Sequence, residues 1–391
     1  MAWQRQKLVT TGQPPSRLLG HWLLSLLLPV IIGIILFILH SSDSLSFVTS
    51  INIWIFSLLP ILLWTVTFIV YSFLYGRKVE HCHFQEQQAE KSHQEWQAWS
   101  ERYMAVLGSC VLLPDMITAN FVEKKPPKLE MQYNLTRRID YLDKALPPMH
   151  QAILVLLKSL SQQISALPDR QRLIVTLLTD VDAQQHVILT SVFLKQWAKV
   201  FPKFQEPVKI DAVSSLSYNL IDKYLKQTTE SVYLILILQL EGKQKYSDGL
   251  GIFLLAADDA VKKLAVPIEG RLLRPMPIDS TQLDIELSLF LETQDIALQA
   301  SGLAGGSKAL SALIPTILPV ISDMAGAVRL ENVQILEQYI GIPGPFSAWL
   351  TAGFVLDFVR IQNVHYLVFS QSDADWFVST ISPGCINENI Q

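Results

Sequence analysis

Charge is scarce in this 391-residue chain: Asp, Glu, Lys and Arg together make up 17% of it, against about 25% in an ordinary soluble domain. With 50% apolar residues and a mean hydropathy of +0.30, disorder is excluded and a membrane segment is the expected cause. Basic charge brings no surplus. A formal net charge of −4 leaves no positive field to hold nucleic acid, so no nucleic-acid partner is expected. Cysteine is scarce as well. Cys82, Cys110 and Cys385 form an odd, widely spaced set, which excludes a disulfide framework and suits a reducing compartment. There is no Gly-x-Ser-x-Gly elbow.

What is present in abundance is uninterrupted apolar sequence. Trp22 to Leu39 is 18 residues without a charge and Ile53 to Tyr75 is 23; a hydrocarbon core needs roughly 20 residues of helix. Each run holds one proline, Pro29 or Pro60, which a spanning helix tolerates. Trp22, Trp54, Tyr71 and Tyr75 stand near the ends, where amphipathic rings favour the headgroup layer. A cleaved signal peptide does not fit, because the first run is too long, no small-residue cleavage pattern follows it, and a second run comes directly after. Arg5, Lys7 and Arg17 precede the first run and Arg77 and Lys78 follow the second, while the loop from His40 to Asn52 holds no Lys or Arg and one acid, Asp43. Lys and Arg stay cytoplasmic, so the expectation is a transmembrane hairpin at 22–75, with a cytoplasmic N-terminal segment at 1–21 and the rest of the chain also inside.

The stretch 76–104 is polar, glutamine-rich and free of proline, and is expected to be a helical tether. Trp96, Trp99 and Tyr103 fall at i, i+3 and i+7, one face of a helix. That stripe is either an interaction surface or a face packed on the following domain. Glu80-His81-Cys82-His83 resembles a metal cluster only in composition. Adjacent helical residues point apart and no second ligand pair stands at zinc-site spacing, so no metal is expected.

Beyond the tether, apolar β-rich runs alternate with helical patterns, as in an α/β protein with helices on both sides of a sheet. Strands are expected at 105–113, 172–179, 208–210, 232–240, 249–256, 264–272, 283–291, 366–370 and 376–381. Helices are expected at 135–165 (broken at Pro147-Pro148), 187–200, 217–226, 308–322 and 346–360. Gly302 to Lys308 is a glycine-rich stretch that fails the P-loop spacing and reads as a flexible surface loop. Thr179-Asp180-Val181-Asp182 places two carboxylates at a strand end, where a solvated turn with a helix cap at Asp182 is expected.

The order of these pieces resembles the thiolase-type fold of the β-ketoacyl synthases, the condensing enzymes of fatty-acid and polyketide synthesis. Arg102 to Pro114 is similar to the family's opening strand, which runs to a glycine and then a proline. Arg137–Leu160 resembles its first long helix, Leu173–Asp182 its next strand, and Lys209–Tyr218 its turn into the nucleophile helix. Val232–Glu241, Tyr246–Leu255 and Ala260–Leu272 follow in the family's order. Ile340-Gly341-Ile342-Pro343-Gly344-Pro345-Phe346 resembles its glycine-histidine turn entering a helix. The resemblance covers 102–383 and implies a layered sheet-and-helix domain at 105–383, with a tail at 384–391. It also implies a two-fold homodimer paired through a central strand, for which the runs 232–240 and 249–256 are the candidates.

Claisen condensation needs a thiolate to carry the acyl group and histidines beside it. The resemblance puts Val213 at the nucleophile position and Ile342 at the histidine position. No cysteine lies between Cys110 and Cys385 and no histidine between His186 and His365, so no shift of a few residues restores the set. Ser214 or Ser215 could stand in, given a neighbouring base that the sequence does not reveal. The expectation is a catalytically inactive, condensing-enzyme-like protein without cofactors, anchored in the bilayer and acting as a binding or scaffold component. The two-span anchor, the Trp-x-x-Trp tether and Leu112-Leu113-Pro114-Asp115 also resemble inner-membrane proteins associated with bacterial type VI secretion clusters, which implies a secretion-apparatus or effector protein as partner. The alternatives are a membrane-associated acyl-transfer enzyme and an immunity-type protein against a secreted effector. A transporter subunit is disfavoured, since two spans without intramembrane charge offer no path.

Overall fold

The computed structural model of the protein describes residues 3–5, 12, 19–42, 52–124, 131–143, 145–168, 171–204, 206–227, 230–372 and 375–384. The flanking charges Lys7 and Arg17, the loop residue Asp43, the dipeptide Pro126-Pro127, the turn residue Asp169 and the tail with Cys385 lie outside the described residues.

Two units emerge, one within Arg5–Glu95 and one comprising Trp96 onward with Trp3 and Gln4. In the first, α1 (Leu19–Ser41) and α2 (Ile53–Ser100) are both long and apolar enough to cross a membrane. Their most apolar windows are only 11% and 6% buried, unlike the core helix of a soluble domain. They run side by side. Trp22 lies 4.8 Å from Tyr71 and 5.4 Å from Phe68, and the Trp64 indole donates to Ser25 Oγ at 3.1 Å. Gly33 lets the backbones meet, because a Cβ there would stand 2.6 Å from the Ser57 carbonyl oxygen. The expected tether is not a separate element: α2 continues unbroken past Tyr75 to Ser100.

The second unit is built from two halves that repeat one another. The first holds β1 (Tyr103–Leu112), α3 (Ala119–Glu123), α4 (Pro148–Ser159), α5 (Ser161–Ser165), β2 (Leu173–Thr179), α6 (His186–Val200), β3 (Lys209–Val213), α7 (Leu220–Leu225), β4 (Val232–Gln239) and β5 (Gly249–Ala257). The second holds α8 (Asp258–Leu264), β6 (Gly270–Leu273), β7 (Met276–Ile278), α9 (Leu283–Thr293), α10 (Asp295–Leu298), β8 (Ala300–Gly305), α11 (Ala309–Asp323), β9 (Val333–Ile335), α12 (Glu337–Ile340), α13 (Ser347–Gln362), β10 (His365–Ser372) and β11 (Asp375–Pro383). The strand order is β3-β2-β4-β5-β1-β6-β11-β10-β8-β9, with β7 pairing β11. Reading outward from the β1–β6 seam, both halves follow the same rule. β2, β3 and β4 are parallel with β5 reversed, and β8, β9 and β10 are parallel with β11 reversed.

Side-chain alternation explains why both faces are covered. Tyr233, Ile235 and Ile237 of β4, with Tyr366 and Val368 of β10, join one core that includes α7 and α13. Leu234, Leu236 and Leu238 face a second core with α4 and α6, and Leu367 and Phe369 a third with α9 and α11. The result is five alternating layers of helix and strand with α13 in the middle. Gly353 permits that insertion, since a Cβ there would meet Val111 Cγ2 at 2.2 Å.

Several expectations are corrected. Residues 135–143 are not helical: Arg137 N donates to Ser247 Oγ, Ile139 N to Asp248, and Ile342 N to the Leu135 carbonyl, so tertiary hydrogen bonds hold this segment open. The run 283–291 is α9 rather than a strand, because Leu283, Leu287, Phe290 and Leu291 make a buried helical stripe. Only 270–272 of the 264–272 run is strand, as part of β6, which is preceded by α8. Gly302 to Gly305 is not a surface loop but most of the buried strand β8, where Gly302 makes room for the Tyr366 ring. β4 and β5 each have partners on both sides, so neither offers an edge to a second chain. The edges of the sheet are β3 and β9.

Candidate functional site

Ligands of open α/β sheets bind beyond the carboxyl ends of parallel strands, where the chain leaves one strand for each side. Here that rule marks two crevices, between β2 and β4 and between β8 and β10.

The first is bridged by Asp180, which ties the end of β2 to the end of β4, while a cavity of about 370 Å³ lined by Leu240, Arg138 and Asp248 among others lies alongside. Asp180 accepts hydrogen bonds from Leu240 N at 3.2 Å, Glu241 N at 2.8 Å and the Tyr246 hydroxyl at 3.2 Å. Desolvation pushes the Asp180 carboxyl up, against those hydrogen bonds, and burial beside Asp180 pushes the Tyr246 phenol up to about 12. Asp180 is therefore a strand-end clasp rather than part of a solvated turn, and Asp182 makes no side-chain cap.

The second crevice is open. A cavity of about 330 Å³ is lined by Gly306, Ser307, the turn Pro343-Gly344-Pro345, Ser347, Ala348, Ser370, Gln371 and Trp376. The turn is held in place by Gln239, whose amide donates to the Ser247 carbonyl at 2.7 Å and accepts from Phe346 N at 3.2 Å. Gly344 is required there, because a Cβ would sit 2.4 Å from that amide.

Val213 ends β3, half-buried against the central core. Ile342 is fixed through its backbone, its N–H donating to the Leu135 carbonyl at 2.8 Å and its carbonyl accepting from Ser247 N at 2.9 Å. Neither supplies a group that titrates or attacks. One neighbour does. Ser214 Oγ, next to Val213, lies 3.5 Å from His186 Nε2 on the first turn of α6; the serine is exposed and the histidine half-buried. Sequence spacing hid this pair, because 28 residues separate its members and only the β2–β3 pairing brings them together.

The aromatic stripe divides. Trp99, on the last turn of α2, packs edge-on to Trp3 at 5.2 Å and lies 3.9 Å beneath the Arg274 guanidinium. Trp96 lies edge-on to Trp99 at 5.2 Å. Tyr103 is not on the helix. It opens β1, with Arg271 4.8 Å above its ring. The turn between them is tied down by Ser100, which donates to the Thr293 carbonyl and accepts from Gln294. Among the described residues no group of three or more His, Cys, Asp or Glu could hold a metal ion.

Near the far end of α13, Arg360 pairs with Asp357 at 3.2 Å and with Glu269, and donates to Ser109 Oγ. Burial, opposed by Arg360, pushes the Asp357 carboxyl up to about 6. The folded state thus holds this proton where the unfolded chain has lost it, so stability present below about pH 4 falls as pH rises towards 6. Asp357→Asn should flatten that part of the stability profile by up to about 3 kcal/mol, read from unfolding midpoints between pH 4 and 7. An unchanged slope would count against it.

No protein-family model matches the chain, and no curated protein matches it either. Solved structures do. The ketosynthase of a type II polyketide synthase, in complex with its acyl-carrier protein, is 10% identical with a TM-score of 0.50, covering 72% of this chain and 99% of that one. The oxazolomycin ketosynthase domain of Streptomyces albus JA3453 is 10% identical with a TM-score of 0.49, covering 72% and 95%. The 3-oxoacyl-[acyl-carrier-protein] synthase III of Aquifex aeolicus VF5 is 12% identical with a TM-score of 0.41, covering 71% and 99%. The chain has a thiolase-like, condensing-enzyme fold preceded by two apolar helices.

Proposed function

We propose that the protein is a non-condensing binding component anchored in the bacterial inner membrane by its two-helix hairpin, with both termini cytoplasmic. The observation that carries this reading is the pair of apolar residues, Val213 and Ile342, where the family likeness places nucleophile and histidine. A fold without its reacting groups persists as a binding surface. The membrane placement is supported by two exposed apolar helices and by the Lys/Arg asymmetry around them. The partner we favour is a component or effector of a type VI secretion apparatus, and an immunity-type role against such an effector is the variant of the same reading. Homodimerisation, if it follows the family, uses the open edge of β3.

A second reading, acyl transfer beside the bilayer, is favoured by one observation, the Ser214–His186 approach at 3.5 Å. A serine with an imidazole in reach is the minimum for nucleophilic catalysis. Incubation with acyl-CoA or acyl carrier protein followed by intact-mass measurement separates the two, since a covalent acyl group appears only under the second. The topology has its own test. A reporter active only in the periplasm should be silent when fused at Gln391 and active when inserted at Ser46. The reverse pattern would overturn the cytoplasmic placement.

A further inference from the structure

The two crevices are counterparts, and comparing them shows what the open one lacks. Thr179 pairs with Leu238 at the end of β2, and Gly305 pairs with Phe369 at the end of β8. The faces agree as well as the order. Leu178 and Ala304 both turn to the central core, and Leu177 and Leu303 both turn outward. The residue after each strand is therefore equivalent, Asp180 in one half and Gly306 in the other. Where the first half inserts a carboxylate that two backbone N–H groups and a hydroxyl satisfy, the second has no side chain and a cavity of about 330 Å³.

The walls of that cavity fit the missing group. α13, 16 residues long, begins at Ser347 on the cavity wall, has no acidic residue in its first turn and has no side-chain cap. Ser347 N donates to the Gly344 carbonyl, and Trp349 N and Leu350 N to the Phe346 carbonyl, which closes the first turn, and the aligned peptide dipoles of the helix give that end a partial positive charge. Ser370, 1% exposed, forms part of the wall, and its Oγ meets no hydrogen-bond partner among the described residues. Thr351, also 1% exposed, is in the same condition beside Gly306, where an added Cβ would come 3.1 Å from Thr351 Oγ1. Buried hydroxyls without partners are uncommon and ask for an explanation.

We propose that the crevice between β8 and β10 binds a small carboxylate, held by the N-terminus of α13 and the Ser370 hydroxyl, in the place that Asp180 fills in the other half. A monoanion is indicated over a phosphate dianion. No charged side chain lines the cavity among the described residues, and the buried carboxylate of Glu337, which accepts from Lys308 N at 2.7 Å, stands next to Gly306 in the hydrogen-bond network. The cavity lies at the small end of the ligand-site range of about 300–1,000 Å³, and Trp376 offers an apolar wall for the ligand's body.

This rests on the reading of the domain as a binder. Acyl loading of Ser214 would remove that reading while leaving the following test intact. The full chain, purified in detergent, is titrated calorimetrically with benzoate, with its neutral isostere benzamide and with inorganic phosphate. Benzoate should bind at least tenfold more tightly than benzamide, and phosphate should not displace it. Ser347→Asp, which puts a fixed negative charge at the helix start, should weaken benzoate at least tenfold without lowering the thermal midpoint. Ser370→Ala should weaken it several-fold, also with the midpoint unchanged. Equal binding of benzoate and benzamide, displacement by phosphate, or unchanged affinity in both variants would overturn the proposal.

Discussion

Replacing Trp99 by alanine is expected to destabilise the protein by about 3 kcal/mol, the low end for truncation of a packed tryptophan. The ring does two jobs at once. It fills the space between Trp3 and the domain surface, and it forms the floor under Arg274, whose side chain is 2% exposed and whose pKa burial lowers to about 10. Asp222, 3.1 Å away, supplies the compensating charge but not the contact area. Without the indole, the guanidinium keeps its desolvation and loses its π partner, a contact worth up to about 2 kcal/mol when desolvated. Denaturant unfolding of the full chain in detergent would show the loss. Trp99→Phe should recover part of it, and Trp96→Ala, which removes an edge-on ring contact with Trp99 but no cover from Arg274, should cost about 1 kcal/mol or less. If Trp99→Ala left stability unchanged and abolished capture of a partner instead, the stripe would be an interaction surface after all.

The second large effect is an absence of chemistry. Presented with acyl-CoA or acyl carrier protein, the purified chain should gain no acyl mass, and condensation should stay at background. Under the function proposed above, the positions given to nucleophile and histidine are Val213, whose side chain has no group to carry an acyl chain, and Ile342, whose side chain cannot move a proton. Loss of a nucleophile or its base typically removes on the order of 10⁴-fold or more in rate. The pair Ser214–His186 makes the test two-sided. If Ser214 is only a surface hydroxyl, the double variant Ser214→Ala, Ser215→Ala leaves cellular function intact. If an acyl adduct forms and both that variant and His186→Ala abolish it, the acyl-transfer reading replaces the binding one.

Legibility in the sequence followed burial. β4 and β5 could be read because strands covered on both faces are continuous apolar runs, and α13 because a long apolar helix follows a proline–glycine turn. The failures share a cause: their local pattern is ambiguous and distant partners decide. Leu283 to Leu291 alternates like a strand over its first residues, and the buried i, i+4, i+7 set prevails. Gly302 to Gly305 looks like a loop by composition, yet the missing side chain of Gly302 is what admits the Tyr366 ring against β8. Residues 135–143 carry helical spacing, but Ser247 and Asp248 take their backbone groups. The repeat between the halves lives in strand order and in which face each residue shows, neither of which can be read before the strands are paired. The open crevice was invisible for the same reason. It is defined by what Gly306 leaves out at a position whose counterpart, Asp180, can be recognised only after the strands are paired.

The seam between the halves also bears on how the chain is made. β1 follows within two residues of the end of α2, and its neighbours in the sheet are β5 and β6. β5 begins roughly 140 residues downstream, a distance that takes roughly 7–30 s to synthesise at about 5–20 residues per second. During that interval β1 has no partner on either edge, a condition that favours mispairing. Sheets closed by such distant pairings form slowly once complete. The first strand of the domain to leave the ribosome is thus among the last to be finished, and maturation is timed by translation through Leu273 rather than by the packing of local elements.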